Sequence, residues 1–193
     1  MILGTHNSCT YGESKGLLSK LFNRFSKCQN MTIGEQLAYG VRYFDIRINK
    51  KDKYIHHGIC TYKIPYMDVL VYLDKYAANS KELLYISLNY ENTYFEKNYE
   101  QWFKDKFEEL EDRFHNLVFI GGYCKHPYRK IINTTELLPI YEKYWEFFNY
   151  KYTSNTLFTN ILHFNPKYWA KKDNNRYKEE CKDGVLVLDY VEL

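Results

Sequence analysis

The chain has 193 residues, 45% hydrophobic and 26% charged, with 9 Gly and 4 Pro, the profile of one globular domain, which excludes disorder, collagen and tandem arrays. Twenty-seven basic against 24 acidic side chains give a formal net charge of +3, too small and too dispersed to imply a nucleic acid partner. Aromatic residues make up 19% of the chain, 21 of them Tyr, so core and pocket are expected to be rich in rings with a polar tip.

The apolar pattern changes period several times along the chain, from short strand-like runs to longer helix-like ones. Strands are predicted at 2–6, 43–48, 83–88, 117–121, 146–152, 157–163 and 185–190, each short and rich in β-branched, leucine or aromatic residues. Thr32-Ile33-Gly34-Glu35 reads as a capping box opening a helix that stops at Gly40. A second helix is predicted from Tyr66 to Ala78, and a third opens at Thr93-Tyr94-Phe95-Glu96 and runs to about Phe114. Near-continuous apolar strands alternating with helices predict an α/β fold, a parallel sheet covered on its faces, either open or closed into a barrel. No Gly-rich phosphate loop follows the first strand, which weighs against a nucleotide-binding sheet. The five cysteines, Cys9, Cys28, Cys60, Cys124 and Cys181, are odd in number and widely separated, which argues against a disulfide framework, a zinc knuckle or a redox pair. With no basic and apolar leader and no apolar run near the ~18 residues that cross a bilayer, the chain reads as soluble and intracellular.

The polar side chains gather at the C-terminal ends of these strands. His6 and Asn7 close the first; Asp45 and Arg47 close Tyr43-Phe44-Asp45-Ile46-Arg47; Asn89 and Glu91 follow Leu84-Tyr85-Ile86-Ser87-Leu88; Asp189 ends Val185-Leu186-Val187-Leu188. In α/β folds that edge is where ligands bind. Asp45 and Arg47, two apart on a strand, share a face and must pair, since unpaired charges on so apolar a strand are costly. A structural ion pair is the plain alternative there. Asp189 needs a partner for the same reason, and His6 is the natural one. His56 and His57 are adjacent on a strand and face opposite ways, so at most one enters a pocket. His115, His126, His163 and Glu91 are expected to be solvated surface residues. Two histidines, one oriented by a carboxylate, with an arginine between them, suit a phosphodiester: a base deprotonates a hydroxyl, an acid protonates the leaving oxygen, and the guanidinium holds the phosphate.

Ile2-Leu3-Gly4-Thr5-His6-Asn7-Ser8, Gln29-Asn30 ahead of Glu35-Gln36-Leu37, Gly40-Val41-Arg42-Tyr43-Phe44-Asp45-Ile46-Arg47, His56-His57-Gly58 and Val187-Leu188-Asp189-Tyr190 together resemble the catalytic X domain of phosphatidylinositol-specific phospholipase C. The resemblance runs over nearly the whole chain. It implies a compact distorted TIM-type barrel, trimmed to just below the ~200 residues usual for that fold. It assigns His6 as general base, Asp189 as its orienting acid and His57 as general acid. Arg47 stands where metal-independent bacterial members carry arginine and eukaryotic members a calcium-binding acid, so no metal and no other cofactor is expected. With a fixed positive charge beside Asp45, the six to eight oxygen ligands calcium usually takes are not gathered.

Three positions depart from the bacterial pattern. Asn7 replaces an acid that supports the general acid, Asn89 replaces a lysine, and Tyr150-Lys151-Tyr152 keeps only the second ring of an Asp-x-Tyr headgroup contact. The inositol-holding arginine of that pattern has no match. The resemblance thus implies a phospholipid substrate, with Asn7, Asn89, Tyr152 and Trp169 as its binding residues. Peripheral contact with a membrane is expected through Tyr62 and Tyr66 or through Tyr168 and Trp169, beside Lys167, Lys171 and Lys172, unless these rings line the pocket. Two alternatives stay open: a phosphodiesterase for another phospholipid or glycerophosphodiester headgroup, and a catalytically silent domain that binds lipid or a protein partner.

Overall fold

A computed structural model describes residues 1–91, 100–123, 150–152, 165–182 and 184–193. Along the chain run β1 (Ile2–Thr5), α1 (Leu17–Ser26), α2 (Ile33–Ala38), β2 (Tyr43–Ile48), β3 (Tyr54–His57), β4 (Cys60–Pro65), α3 (Tyr66–Ser80), β5 (Leu84–Tyr90), α4 (Glu100–Arg113), β6 (Leu117–Tyr123), β7 (Tyr150–Tyr152), α5 (Pro166–Glu180) and β8 (Val185–Leu188). Six strands form one sheet in the order β6-β5-β2-β1-β8-β7, every pairing parallel. A parallel sheet brings the C-terminal ends of its strands to one edge, which is why polar residues far apart in sequence can meet there.

The predicted capping box forms: Thr32 Oγ1 accepts from Glu35 N, and the Glu35 carboxylate accepts from Thr32 N. The strand expected at 157–163 and the helix start at Thr93 lie outside the described residues. Two features differ from the sequence reading. Residues 54–65 fold as an antiparallel hairpin, β3 on β4, turning at Gly58, whose φ of 60° is the left-handed conformation glycine adopts without strain. Helices also form at α1 and α5, where none was predicted.

Alternation along the strands separates two environments. Phe44, Ile46 and Ile48 of β2 join Ile86 and Leu88 of β5, Leu70 and Leu73 of α3, and Phe103, Phe107 and Leu110 of α4 in the main core. On the opposite face Tyr43, Ile120, Val185 and Val187 make a smaller apolar floor, with Ile2 and Tyr85 against it. A Cβ on Gly4 would lie 2.8 Å from the Tyr43 ring, so glycine there admits the ring. On that same face, further toward the strand ends, the residues become polar: Asp45 pairs in register with Ser87 and Arg47 with Asn89. The floor is apolar; the layer above it carries the charge.

Candidate active site

His6 and Asn7 follow the last residue of β1, and Asn7 has a φ of 46°, a left-handed turn that asparagine tolerates better than most residues. The turn is held by Asp45, which accepts from Asn7 N at 3.0 Å through its carboxylate and from Ser8 N at 2.9 Å through its backbone carbonyl. Gln29 donates to the carbonyls of His6 and Leu188, and Gln36 accepts from Thr5 and donates to the carbonyl of Ser8. These two buried amides tie the end of β1 to its surroundings and fix the backbone beneath His6.

The His6 ring lies between opposite partners. Its Nδ1 is 2.8 Å from Asp189 Oδ1, and its Nε2 is 2.8 Å from a terminal nitrogen of Arg47. A carboxylate only accepts and a guanidinium only donates, so neutral His6 carries its proton on Nδ1 and presents a lone pair at Nε2. Arg47 is itself clamped. It donates to both carboxylate oxygens of Asp45 at 3.0–3.3 Å and to Glu91 Oε2 at 3.1 Å. Burial alone would push the Asp45 carboxyl up, but the Arg47 and His6 charges and the hydrogen bonds from Arg47 and Asn7 N outweigh it and hold it at about 2. Asn89 donates to Asp45 Oδ1 at 2.7 Å, so it is part of the same network.

His57 enters from the β3–β4 hairpin. Its Nδ1 donates to the Ser26 carbonyl at 2.6 Å, which leaves Nε2 facing Asn7, whose amide nitrogen is 3.2 Å from it and 3.2 Å from His6 Nε2. One side-chain amide therefore spans the two rings, whose centroids are 6.1 Å apart. Burial and the Arg47 charge push the His57 pKa below the ordinary histidine value, with Glu91 pulling the other way. The second histidine of the pair turns away as expected, with His56 Nε2 on Asp52 at 2.9 Å.

Two site residues were missed in the sequence. Glu91, expected on the solvated surface, is 5% exposed. Its Oε1 accepts from Gly58 N at 2.6 Å and its Oε2 from Arg47, so it joins the arginine to the turn that follows His57. It sits one residue past β5, at the strand end where the sequence already places it, and the polar residues ending the neighbouring strands are the signal against reading it as solvated. Cys28, set aside with the other cysteines, lies 3.6 Å from the Asn7 amide nitrogen and 3.9 Å from His57 Nδ1. Glu91→Ala should destabilise the fold by roughly 3 kcal/mol by leaving a buried guanidinium and the Gly58 N–H short of an acceptor. Urea unfolding checks this, and Glu91→Gln, which retains one acceptor, should lose less.

Of the rings expected to face a membrane, Tyr168 is exposed, whereas the other three are not. Trp169 is buried, packed edge-on against Tyr168 with Lys172 over its face. Tyr62 is fully buried with its hydroxyl on Ser26 Oγ, and Tyr66 is buried in the core. Large rings on short elements of a small domain are recruited by the core first. Tyr152 lies on β7, with its backbone paired to β8.

Residues able to hold a metal fit one poorly. Among the described residues His6, Cys28 and Asp189 offer ligand atoms within 4.8 Å of one another. However, burial, with Asp189 beside it, pushes the Cys28 thiol well above its ordinary value, and the positive charge of Arg47 stands against the same His6 ring. A hard divalent cation is no better served, because Asp45 and Glu91, the carboxylates it would need, both carry Arg47.

A family model for the X domain of phosphatidylinositol-specific phospholipase C matches residues 4–113, a span that contains His6, Asp45, Arg47, His57 and Glu91. The chain belongs to this family. Among curated proteins it is similar to PI-PLC X domain-containing protein 2 of Homo sapiens and of Mus musculus, each 32% identical over 81 residues, 38% of this chain. The aligned stretch is 26% of the human protein and 23% of the mouse protein. Among solved structures it resembles phosphatidylinositol-specific phospholipase C from Listeria monocytogenes, with a TM-score of 0.62, 18% identity, and coverage of 98% of this chain and 87% of that one. It also resembles a mutant of the Staphylococcus aureus enzyme, with a TM-score of 0.54, 14% identity, and coverage of 98% and 85%. At these identities the likeness is one of fold, and it makes the parallel sheet part of a TIM-type α/β barrel with the polar cluster at the C-terminal strand ends, the usual site edge.

Proposed function

We propose that the chain is a phosphodiesterase that cleaves phosphatidylinositol-type phospholipids without a metal ion. The observation that carries this reading is the His6 ring fixed in one tautomer between Asp189 and Arg47, with a second histidine across one amide. Family membership supports the substrate class.

The diester phosphate takes over the Arg47 fork, which releases His6 Nε2 to accept the proton of the adjacent inositol hydroxyl. That oxygen attacks phosphorus, and the bond to the diacylglycerol oxygen breaks. His57, as the imidazolium, gives its Nε2 proton to the departing oxygen. The proton lost by the hydroxyl stays on His6, Asp189 stabilises the resulting imidazolium, and Arg47 opposes the charge gathering on the phosphate. Diacylglycerol and an inositol cyclic phosphate leave. The guanidinium fills the place a divalent cation would otherwise take.

The test is release of diacylglycerol from detergent micelles of phosphatidylinositol, phosphatidylcholine or phosphatidylethanolamine, all in excess EDTA. Cleavage of the inositol lipid alone is expected. Cleavage of another headgroup in its place would overturn the substrate, and cleavage of none would leave a binding domain.

A further inference from the structure

We propose that the groove between the start of α2 and the first turns of α3 is a second ligand site, apart from the candidate active site, and that it binds an organic ammonium ion with an apolar body. The cavity there measures about 440 Å³, within the range of small-molecule sites. Its walls are apolar: Ile33 of α2 and Val69 of α3 belong to the main core, and Ile64 and Pro65 end β4 beside them. A Cβ on Gly34 would stand 3.0 Å from the Tyr72 hydroxyl, so the phenol of α3 closes against bare backbone of α2 and bounds the groove on that side. No lining residue belongs to the His6–Arg47–His57 cluster. The groove adjoins the end of the β3–β4 hairpin where Tyr54 pairs with Pro65, whereas His57 pairs with Cys60 at the other end.

Charge selects the occupant. Two phenol rings, Tyr11 and Tyr72, stand in the lining with the Asp68 carboxylate. Aromatic faces attract cations, and a carboxylate does the same. Among the described residues no ion pair or hydrogen bond holds Asp68 or the Tyr72 hydroxyl, and both side chains are exposed to an entering ligand. Lys63, the cation of the lining, is already given to Glu13 at 2.8 Å. Burial pushes the Tyr11 hydroxyl above its ordinary value, so that phenol stays neutral and adds no charge of its own. An anion in this groove would meet Asp68 unshielded, and a bare divalent cation would find one carboxylate where it needs several oxygens. An ammonium ion pairs with Asp68 and the rings while its carbon skeleton fills the apolar space.

The experiment titrates the whole chain, nitrogen-labelled for amide-resolved NMR, with three probes that share one ring system: tryptamine, a cation; tryptophol, neutral; and indoleacetate, an anion. Tryptamine should shift the amides of Gly34 and Asp68 saturably over a millimolar range and bind roughly 10-fold more tightly than tryptophol. Indoleacetate should bind more weakly than either. Asp68→Asn should cut the preference for tryptamine over tryptophol to roughly 3-fold, the share left to the rings. Tyr72→Ala should weaken tryptamine roughly 5-fold. Both substituted side chains are exposed, so the fold should hold, and the amide spectra of the free variants check it. Tryptamine that leaves Gly34 and Asp68 unshifted, or shifts only the amides around His6 and His57, would overturn the site. Equal binding of all three probes would reduce the groove to an apolar cleft and overturn the ammonium ligand. So would a preference for indoleacetate, since Lys63 would then supply the selecting charge. A preference for tryptamine that survives Asp68→Asn intact would overturn the role of the carboxylate.

Discussion

Replacing Arg47 by Ala should lower turnover by roughly 10²–10³ and cost about 3–5 kcal/mol of stability. The two losses have one cause. Arg47 is held by Asp45 and Glu91, both about nine-tenths buried or more, and its removal leaves two buried carboxylates without a cation while the phosphate loses its fork. Arg47→Lys restores charge without bidentate geometry, so it should recover more stability than activity. Arg47→Asp would set a third carboxylate beside Asp45 and Glu91. Activity in chelator should then vanish, and calcium is expected to restore part of it, whereas the wild-type rate should not respond to EDTA or calcium. Urea unfolding and turnover on the same preparations check these results. An Arg47→Ala chain as stable and active as wild type would remove the arginine from both roles.

His6→Ala and His57→Ala should each lower turnover by roughly 10²–10⁴ with the fold retained. Asp189→Asn tests the His6 tautomer itself. The amide nearly preserves shape, yet it can donate to Nδ1 and so move the ring proton to Nε2, where no lone pair then remains to act as base. Its loss should approach that of His6→Ala, and nitrogen NMR should show the proton on Nε2. The pH profile follows from His57. A general acid whose pKa lies below the ordinary histidine value is deprotonated as pH rises through that lowered pKa, so kcat/KM should fall on the alkaline side from below about pH 6.5. Glu91 raises the His57 pKa, so Glu91→Gln should move that limb to lower pH, a shift that a purely structural role would not produce.

Much of this site was legible in the chain because its residues obey local rules. Asp45 and Arg47 share a strand face by parity, Asp189 interrupts an apolar strand and so demands a partner, and His57 is singled out from His56 by alternation. Glu91 and Cys28 were not legible, because what makes them site residues is contact across the fold: Glu91 reaches Arg47 and Gly58, and Cys28 reaches Asn7 and His57. Helix α1 shows a further boundary. Helical periodicity reports that a face is apolar but not whether that face meets the core, and here the serines hold the inner side. The rings expected at a membrane went the other way, Tyr62 and Trp169 into the protein, since a core takes large apolar surface wherever packing allows.

The central claim is metal-free transfer of the phosphate to the neighbouring inositol hydroxyl by the His6–His57 pair. Phosphorus NMR of the wild-type chain with phosphatidylinositol micelles in excess EDTA tests it most directly. The account predicts the resonance of a five-membered cyclic inositol phosphate growing as the diester signal falls, and no such resonance with His6→Ala. A diester signal that persists with the wild-type chain, or falls only when a divalent cation is supplied, would contradict it.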